Sequence, residues 1–583
     1  MSNNPYLTQF YVKLNGSDVD AEFLADLSIL EVDDSLYLPA MATLQLNDPT
    51  LKWVDLAAVQ IGAPLEIGVR AAGDRSNTKI FTGEITSIEL DVANGGFQQT
   101  VVRAYDKSHR LMRMPATAVY LQMTDSDMIT KGLQECGLTG AIAATANVYE
   151  CVVQDNQTYF DFLQERLRRN GHVGKFTLNG QYKTGPADSM GTNVLEYKLG
   201  DQLVEFRPHL TAVSQLTQLM ARGWDWKAKA AVVGTANSVP ALTTVGYAPR
   251  AGGLASKFNS SPKTVVNTIV VDKQAEAEKV AQSLLSEQGT GDVQAEGVAI
   301  GDPGLLAGSK ANITGVGTRF SGTYLITRAV HRYDGENYLT SFESNPSSSM
   351  TTSDMVLRGA GAVESDRHGS GLTFMPAIVT NNNDPENAGR VRVKYPLMGS
   401  TATGNEVESF WARVLTPMAG AGYGHMFVPE VNDEVLVGFD RGDVNHPYVI
   451  GALWNGKDAP PLKANVAVKS GKVVQRIIKT RSGHTLLFDD SDDAPRIEIQ
   501  DKTQKNKIVI DSATNKIQIE ADAAVTVKTK EVTVEGTQSV KITGGTNGVT
   551  IETQGRLTLK GSQGVAIDGG PSTEIKGGMV KLN

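Results

Sequence analysis

From Ile497 to Ile567 the chain repeats one pattern: two apolar residues separated by a single, mostly polar one. The pairs are Ile497/Ile499, Ile508/Ile510, Ile517/Ile519, Val525/Val527, Val532/Val534, Val540/Ile542, Val549/Ile551, Leu557/Leu559 and Val565/Ile567, and their first members step by 11, 9, 8, 7, 8, 9, 8 and 8 residues. A spacing of two puts both side chains on one face of a β-strand. A period near eight is therefore one short strand plus a turn, with Gly or Asn at corners such as Asn515, Gly536, Gly544-Gly545, Gly561 and Gly569-Gly570.

Eight residues cover only one side of a shaft, so one chain cannot shield its own rows. A hexapeptide β-helix would step by six, which these spacings do not. Three chains winding together supply three sides and bury every pair. The pattern thus predicts an intertwined trimeric β-helix over 476–583, with Ile517, Ile519, Val525, Val527, Val532, Val534, Val540, Ile542, Val549, Ile551, Leu557 and Leu559 in its core. At roughly 1.5–3 kcal/mol per buried aliphatic side chain the gross gain is tens of kcal/mol per chain, an upper bound. If each repeat advances one strand spacing of ~4.8 Å, about eleven repeats make a shaft of roughly 50 Å.

Upstream the pattern changes. Phe81 to Leu90 alternates, Asn94-Gly95-Gly96 reads as a turn, and Phe97–Tyr105 returns as a second strand, a hairpin signal. Helical periodicity predicts helices over Ser126–Leu138, over Gln157–Arg169 with Phe160, Leu163 and Leu167 on one face and Asn170-Gly171 as its stop, and over Lys273–Glu287 with Ala277, Val280, Ala281 and Leu284 in line. The Glu165-Arg166 and Arg168-Arg169 pairs read as a solvated helix face. Residues 293–343 return to short strands. Residues 346–371 and 457–475 read as linkers, the first rich in Ser, Thr and Gly, the second holding Pro460-Pro461. Between them, Val391, Val393 and Tyr395, then Val435, Val437 and Phe439, alternate as in a compact β segment over 372–456.

Composition narrows the function. A chain of 583 residues predicts several domains. Its 58 glycines and 6% aromatics suit a β-rich, turn-rich protein. Two cysteines, Cys136 and Cys151, are too few for a disulfide scaffold and read as buried free thiols. Met1-Ser-Asn-Asn-Pro-Tyr6 has no basic region followed by an apolar run, and no stretch is apolar enough to span a membrane. The expectation is a protein assembled in the cytoplasm, within a particle that is then released or membrane-anchored.

Several stretches resemble spikes of the VgrG family and of phage baseplates. In the β segment they are Asn387-Ala-Gly-Arg-Val-Arg-Val-Lys-Tyr-Pro396, Trp411-Ala-Arg-Val414, Thr416-Pro-Met-Ala-Gly-Ala-Gly422, Pro429-Glu-Val-Asn-Asp-Glu-Val-Leu-Val-Gly-Phe439 and Tyr448-Val-Ile-Gly-Ala-Leu-Trp-Asn-Gly456. Nearer the start, Ser35-Leu-Tyr-Leu-Pro-Ala-Met41, Asn47-Asp-Pro49, Phe160-Asp-Phe-Leu-Gln-Glu-Arg166 and Ile313–Asp334 carry a similar likeness to the family's hub. The opening segment is closest in style to spikes of extracellular contractile injection systems.

The resemblance implies a mainly β, multidomain fold. A hub of β-barrels with helical insertions would occupy 1–345, an OB-fold barrel 372–456 and the shaft 476–583. Each hub would supply two similar barrels, so that a trimer matches a six-fold inner tube. The implied role is structural and non-enzymatic: a trimeric spike that joins an Hcp-like inner tube and the baseplate to a PAAR-type tip protein, carries effector cargo, and punctures a target membrane on sheath contraction. Met579, Val580, Lys581, Leu582 and Asn583 are the expected tip-binding residues. The tail spike of a contractile phage is the nearest alternative, and a β-helical adhesin or cell-wall hydrolase belongs to a different class.

Other chemistry is not expected. Residues 372–456 hold five Lys/Arg (390, 392, 394, 413, 441) against nine Asp/Glu (384, 386, 406, 408, 430, 433, 434, 440, 443), net −4, which argues against nucleic acid in the barrel. Only about 20 residues separate barrel from shaft, too few for an inserted hydrolase with paired carboxylates. The eight histidines are scattered and form no His-x-His or Cys/His cluster, so no metal or cofactor is expected. No toxin domain is expected after the shaft.

Overall fold

The computed structural model of the chain describes residues 9–70, 77–93, 97–191, 193–212, 215–250, 252–258, 261–267, 269–345, 374–399 and 406–581. The expected turn at Asn94-Gly95-Gly96, the linker 346–371, Leu582 and Asn583 lie outside them. The chain divides into two compact units, Met1–Ala459 and Pro460–Asn583. It is mainly β and multidomain.

The first unit is organised by an 11-stranded sheet drawn from two separate parts of the chain. The strands between Gln9 and Tyr105 form one part; Leu203–Leu210, Val293–Ile300, Arg328–Tyr333 and Tyr338–Ser344 form the other. They meet where Leu27–Ser35 pairs antiparallel with Arg328–Tyr333. Each part has its own core. Phe23, Trp53 and Phe81 anchor the first, and Ile313, Tyr324 and Phe342 the second. Phe10 bridges them, its ring 5.1 Å from Tyr333 and 4.9 Å from Tyr338. The Asn47-Asp-Pro49 stretch is a buried turn. Asp48 accepts from the Trp53 and Val54 amides and from the Thr100 hydroxyl. Burial works against its charge, but these bonds outweigh it and hold its carboxyl below the usual range.

Three helices pack beside this sheet system near the predicted positions. Asp125–Glu135 opens on a capping box between Thr124 and Asp127. It stops short of Leu138, because Gly137 takes φ +67°. Tyr159–Arg169 is capped by Thr158 and buries Phe160, Leu163 and Leu167. It ends at Asn170, with Gly171 in the left-handed region. The third runs Gln274–Gly289 and buries Ala277, Val280 and Ala281; Leu285 is the buried leucine, while Leu284 is half-buried.

Two arginines of the second helix are not solvated as expected, whereas Arg168 is exposed. Arg166 is buried between Glu165 and Asp125, and Arg169 donates to Glu276 at 2.7 Å. Carboxylate partners let the guanidiniums leave water, although the Nε of each is buried without a hydrogen-bond partner. Cys136 and Cys151 are free thiols, half-buried rather than buried. Burial pushes the Cys151 thiol up to about 11.

The barrel domain is a six-stranded sheet in the order Glu406–Glu408, Arg392–Gly399, Phe374–Asn381, Glu434–Asp440, Asp443–Ala452, Arg413–Val414. Its alternating residues Val391, Val393, Tyr395, Val435 and Val437 are fully buried. Val153, from the hub strand Val148–Thr158, enters the same core. A second hub contact comes from the hairpin Gln218–Asp225/Ala230–Ala236. At its tip the Trp226 ring lies 5.2 Å from the Arg390 guanidinium and 5.5 Å from that of Arg413. Lys227 beside it meets Glu386 at 2.8 Å.

Candidate functional site

The surface that the sequence singles out lies in the second unit. It begins with a short helix, Ala464–Ala467, and a hairpin, Val468–Lys469 with Lys472–Val473. The segment expected as a linker over 457–475 is thus partly structured, and the first shaft strand starts at Gln475. Five strands follow as an antiparallel meander: Gln475–Lys479, Thr485–Asp489, Arg496–Gln500, Lys507–Asp511 and Lys516–Glu520.

Register aligns the apolar residues of the meander into two columns on one face. One runs Ile478, Leu486, Ile499, Ile508, Ile519; the other runs Phe488, Ile497, Ile510, Ile517. The opposite face is mixed, with Ile477, Leu487, Glu498, Val509 and Gln518. Sequence reasoning missed Ile478, Leu486 and Phe488. The signal was present, since Leu486/Phe488 is another spaced pair, 11 residues before Ile497.

Side chains at the bends fix the register. Asp501 accepts from the Thr503 hydroxyl and the Asn506 side-chain amide, and Asp511 accepts from the Ala513 and Thr514 amides. Hydrogen bonds from Asn506 to the first and from Thr514 to the second hold both carboxyls below their usual range. Asp489 is the one buried carboxylate of the meander described. Burial opposes its charge, but Ser491, Gln475 and the Arg496 guanidinium outweigh that and lower its pKa. Lys507–Glu520 at 3.0 Å and Lys505–Asp522 at 2.8 Å tie the last strands.

After Glu520 the ladder stops: among the described residues 521–581 no strand pairs within the chain. What remains is turns at the expected corners, with Gly548 N–H donating to Gly545, Gly564 to Gly561 and Ser572 to Gly569. The spaced pairs from Ile497 to Ile567 are exposed, from 37% at Ile497 to 73% at Ile542. Val525, Val527, Val532, Val534, Val540, Val549, Ile551, Leu557 and Leu559 all fall within that range. Of the expected tip-binding residues, Met579 and Val580 are exposed apolar side chains and Lys581 is exposed.

Apolar rows this long are normally covered in soluble proteins. A face that its own chain leaves bare, repeated at a constant period, can do one thing chemically: associate. Elsewhere, a groove on the large sheet gathers Glu205, Arg207, Glu296, Arg328 and Glu343. Its arginines are engaged, Arg207 with Glu205 and Arg328 with Asp33 and Glu343. No cluster of three metal-ligating side chains occurs among the described residues. No helix among them is long and apolar enough to cross a membrane.

A large β-rich part, a six-stranded β domain and a repeat tail follow one another along the chain. Residues 6–334 match the family described as Alg8 N-terminal domain, and residues 375–454 match the type VI secretion system/phage-baseplate injector OB domain. With the first match covering more than half its length, the chain belongs to the Alg8 N-terminal domain family; over the second match it is similar to VgrG-family spike proteins.

Among curated relatives, the type VI secretion system spike protein VgrG3 of Vibrio cholerae is 37% identical over 76 residues, 13% of this chain and 7% of the relative. The actin cross-linking toxin VgrG1 of Vibrio cholerae is 27% identical over 195 residues, 33% of this chain and 15% of the relative. The matched segments thus span a small part of those relatives. Among solved structures, a chain of the lidded Francisella PdpA–VgrG complex aligns with TM-score 0.51 at 8% identity, over 88% of this chain and 80% of that one, a likeness of fold.

Proposed function

We propose that this chain is the structural, trimeric spike of a contractile injection machine, joining the baseplate end of an inner tube to a tip and passing through a target membrane when the sheath contracts. The observation that carries the reading is the bare shaft. Its apolar pairs stand in water in a single chain, without ladder partners beyond Glu520. Three copies supply both the missing hydrogen-bond partners and the missing cover. The spike role of the relatives supports the same reading.

Within this reading the hub meets the inner-tube and baseplate proteins, and the tip protein sits on the shaft end near Met579–Lys581. The work is mechanical, and the protein is assembled in the cytoplasm into a particle that is released or membrane-anchored. Electron microscopy with light scattering on the purified full-length chain tests it. A threefold rod on a wider base, at three times the chain mass of 62.4 kDa, is the expected result. A monomer with a folded tail refutes it.

A further inference from the structure

The two parts of the shaft differ in what a lone chain can build, and the difference assigns them different tasks. Over Gln475–Glu520 the chain completes its own antiparallel ladder, with bends held by Asp501 and Asp511 and a buried carboxylate at Asp489. Over 521–581 it completes none. Ordering a residue costs roughly 1–2 kcal/mol of backbone entropy. The meander meets that cost with hydrogen bonds inside one chain. The later repeats meet it only when neighbouring chains are already in place.

Register separates the two parts in the same way. The pairs from Val525 to Ile567 step by 7, 8, 9, 8 and 8 residues and use interchangeable Val, Ile and Leu. A chain slipped by one repeat against its neighbours keeps nearly every apolar contact, so these repeats specify register weakly. The meander is not periodic in this sense. Its strands are joined by bends of unequal length, and its face carries one bulky aromatic, Phe488, opposite Ile497 on one side and Arg476 on the other. A slipped copy would set Phe488 against the wrong neighbours.

Resting on the trimeric reading above, we infer that the apolar face of the meander is the primary contact between copies of this chain: it meets first, fixes the register of three chains, and the repeats after Glu520 wind up from it toward Val580. The occupant of that face is a second and third copy of the same face. Its two columns run directly into the repeat rows that need the same partners, through Ile517/Ile519 to Val525/Val527. Such growth from an ordered seed is the usual behaviour of a nearest-neighbour repeat array.

The test uses the full-length chain. Ile508→Asp places a charge in the middle of the meander face, and Val565→Asp places one in a late repeat. The expected result is at least a tenfold loss of trimer by light scattering for Ile508→Asp. For Val565→Asp a trimer should persist, losing hydrogen-exchange protection only around the last repeats. Trimer loss from Val565→Asp equal to or greater than that from Ile508→Asp overturns the inference. Because Ile508→Asp also perturbs the meander itself, pulsed hydrogen exchange on the unaltered chain during assembly from denaturant is the second measurement. Amides of 475–520 should gain protection before those of 525–580. Simultaneous or reversed order in a protein that does form trimers removes the seeding role alone, whereas an unaltered chain that stays monomeric with a folded tail removes the trimeric reading as well.

Discussion

The Asn445 side chain accepts a hydrogen bond from the backbone N–H of Val153, 292 positions earlier in the chain. The bond joins the barrel's Asp443–Ala452 strand to the hub strand that also lends Val153 to the barrel core. Asp443 in turn accepts from the Asn445 amide and side chain, fixing the group that does the accepting.

Asn445→Ala leaves the Val153 N–H without its partner in a buried seam. The expected cost is about 1–3 kcal/mol. It should appear as faster hydrogen exchange at Val153 and its strand neighbours, with the trimer retained. Unchanged exchange there would show that the seam does not hold hub to barrel.

Inside the barrel, Arg390 donates two hydrogen bonds to Asp384, at 2.7 and 3.0 Å, and both side chains are almost fully buried. Asp384→Asn removes the buried charge partner of the guanidinium and leaves Glu386 at 3.5 Å as its remaining carboxylate, for an expected loss of up to about 3–5 kcal/mol in denaturant unfolding of the first unit. The bonds from Arg390 keep the Asp384 carboxyl well below the usual carboxylate range. The stability it contributes is therefore present above the unfolded value of about 3.9 and lost as pH falls toward the native one. Acid unfolding curves of the two proteins should converge in that region and differ above it.

His331 titrates the other part of the hub. It is fully buried, with Nδ1 2.8 Å from the Tyr338 hydroxyl, and burial holds its pKa down at about 4. The unfolded chain takes up a proton near pH 6.5 that the fold refuses until about 4. Hub stability is thus whole above that window and falls as pH drops through it, by up to about 3 kcal/mol. A His331→Gln variant should show a flatter dependence between about pH 6.5 and 5, where carboxylates contribute little. Equal slopes in the two proteins would exclude His331 as the cause.

In a strand of the braided shaft the adjacent Val540 and Lys541 would face opposite ways. Val540→Asp would set three charges around one axis, without partners, and should remove the shaft's resistance to heated detergent. Lys541→Asp, on the water side, should leave the mass by light scattering and the resistance to heated detergent unchanged. A heat-resistant trimer from Val540→Asp contradicts the braided core.

What could be read in the sequence was whatever repeats locally. The spaced pairs up to Ile517/Ile519, the helix stop at Asn170-Gly171 and the alternation around Val393 and Val435 are short-range signals, and the structure has strands or a helix end at each. The burial of Arg166 and Arg169 was not readable, because their partners Asp125 and Glu276 lie on other helices and a charged pair on a helix ordinarily faces water. The hub-to-barrel seam was invisible for the same reason: nothing near Trp226 or Asn445 announces contacts more than 150 residues away. Leu486/Phe488 shows the opposite failure, a legible pair passed over because its strand falls before the period settles.

The bare rows also bear on how the protein is made. They leave the ribosome after the hub and barrel, and residues 460–583 take roughly 6–25 s to synthesise at ~5–20 residues per second. The chain thus makes its stickiest surface behind domains that have already had time to fold. Neighbouring ribosomes on one message would then supply the three tails close together.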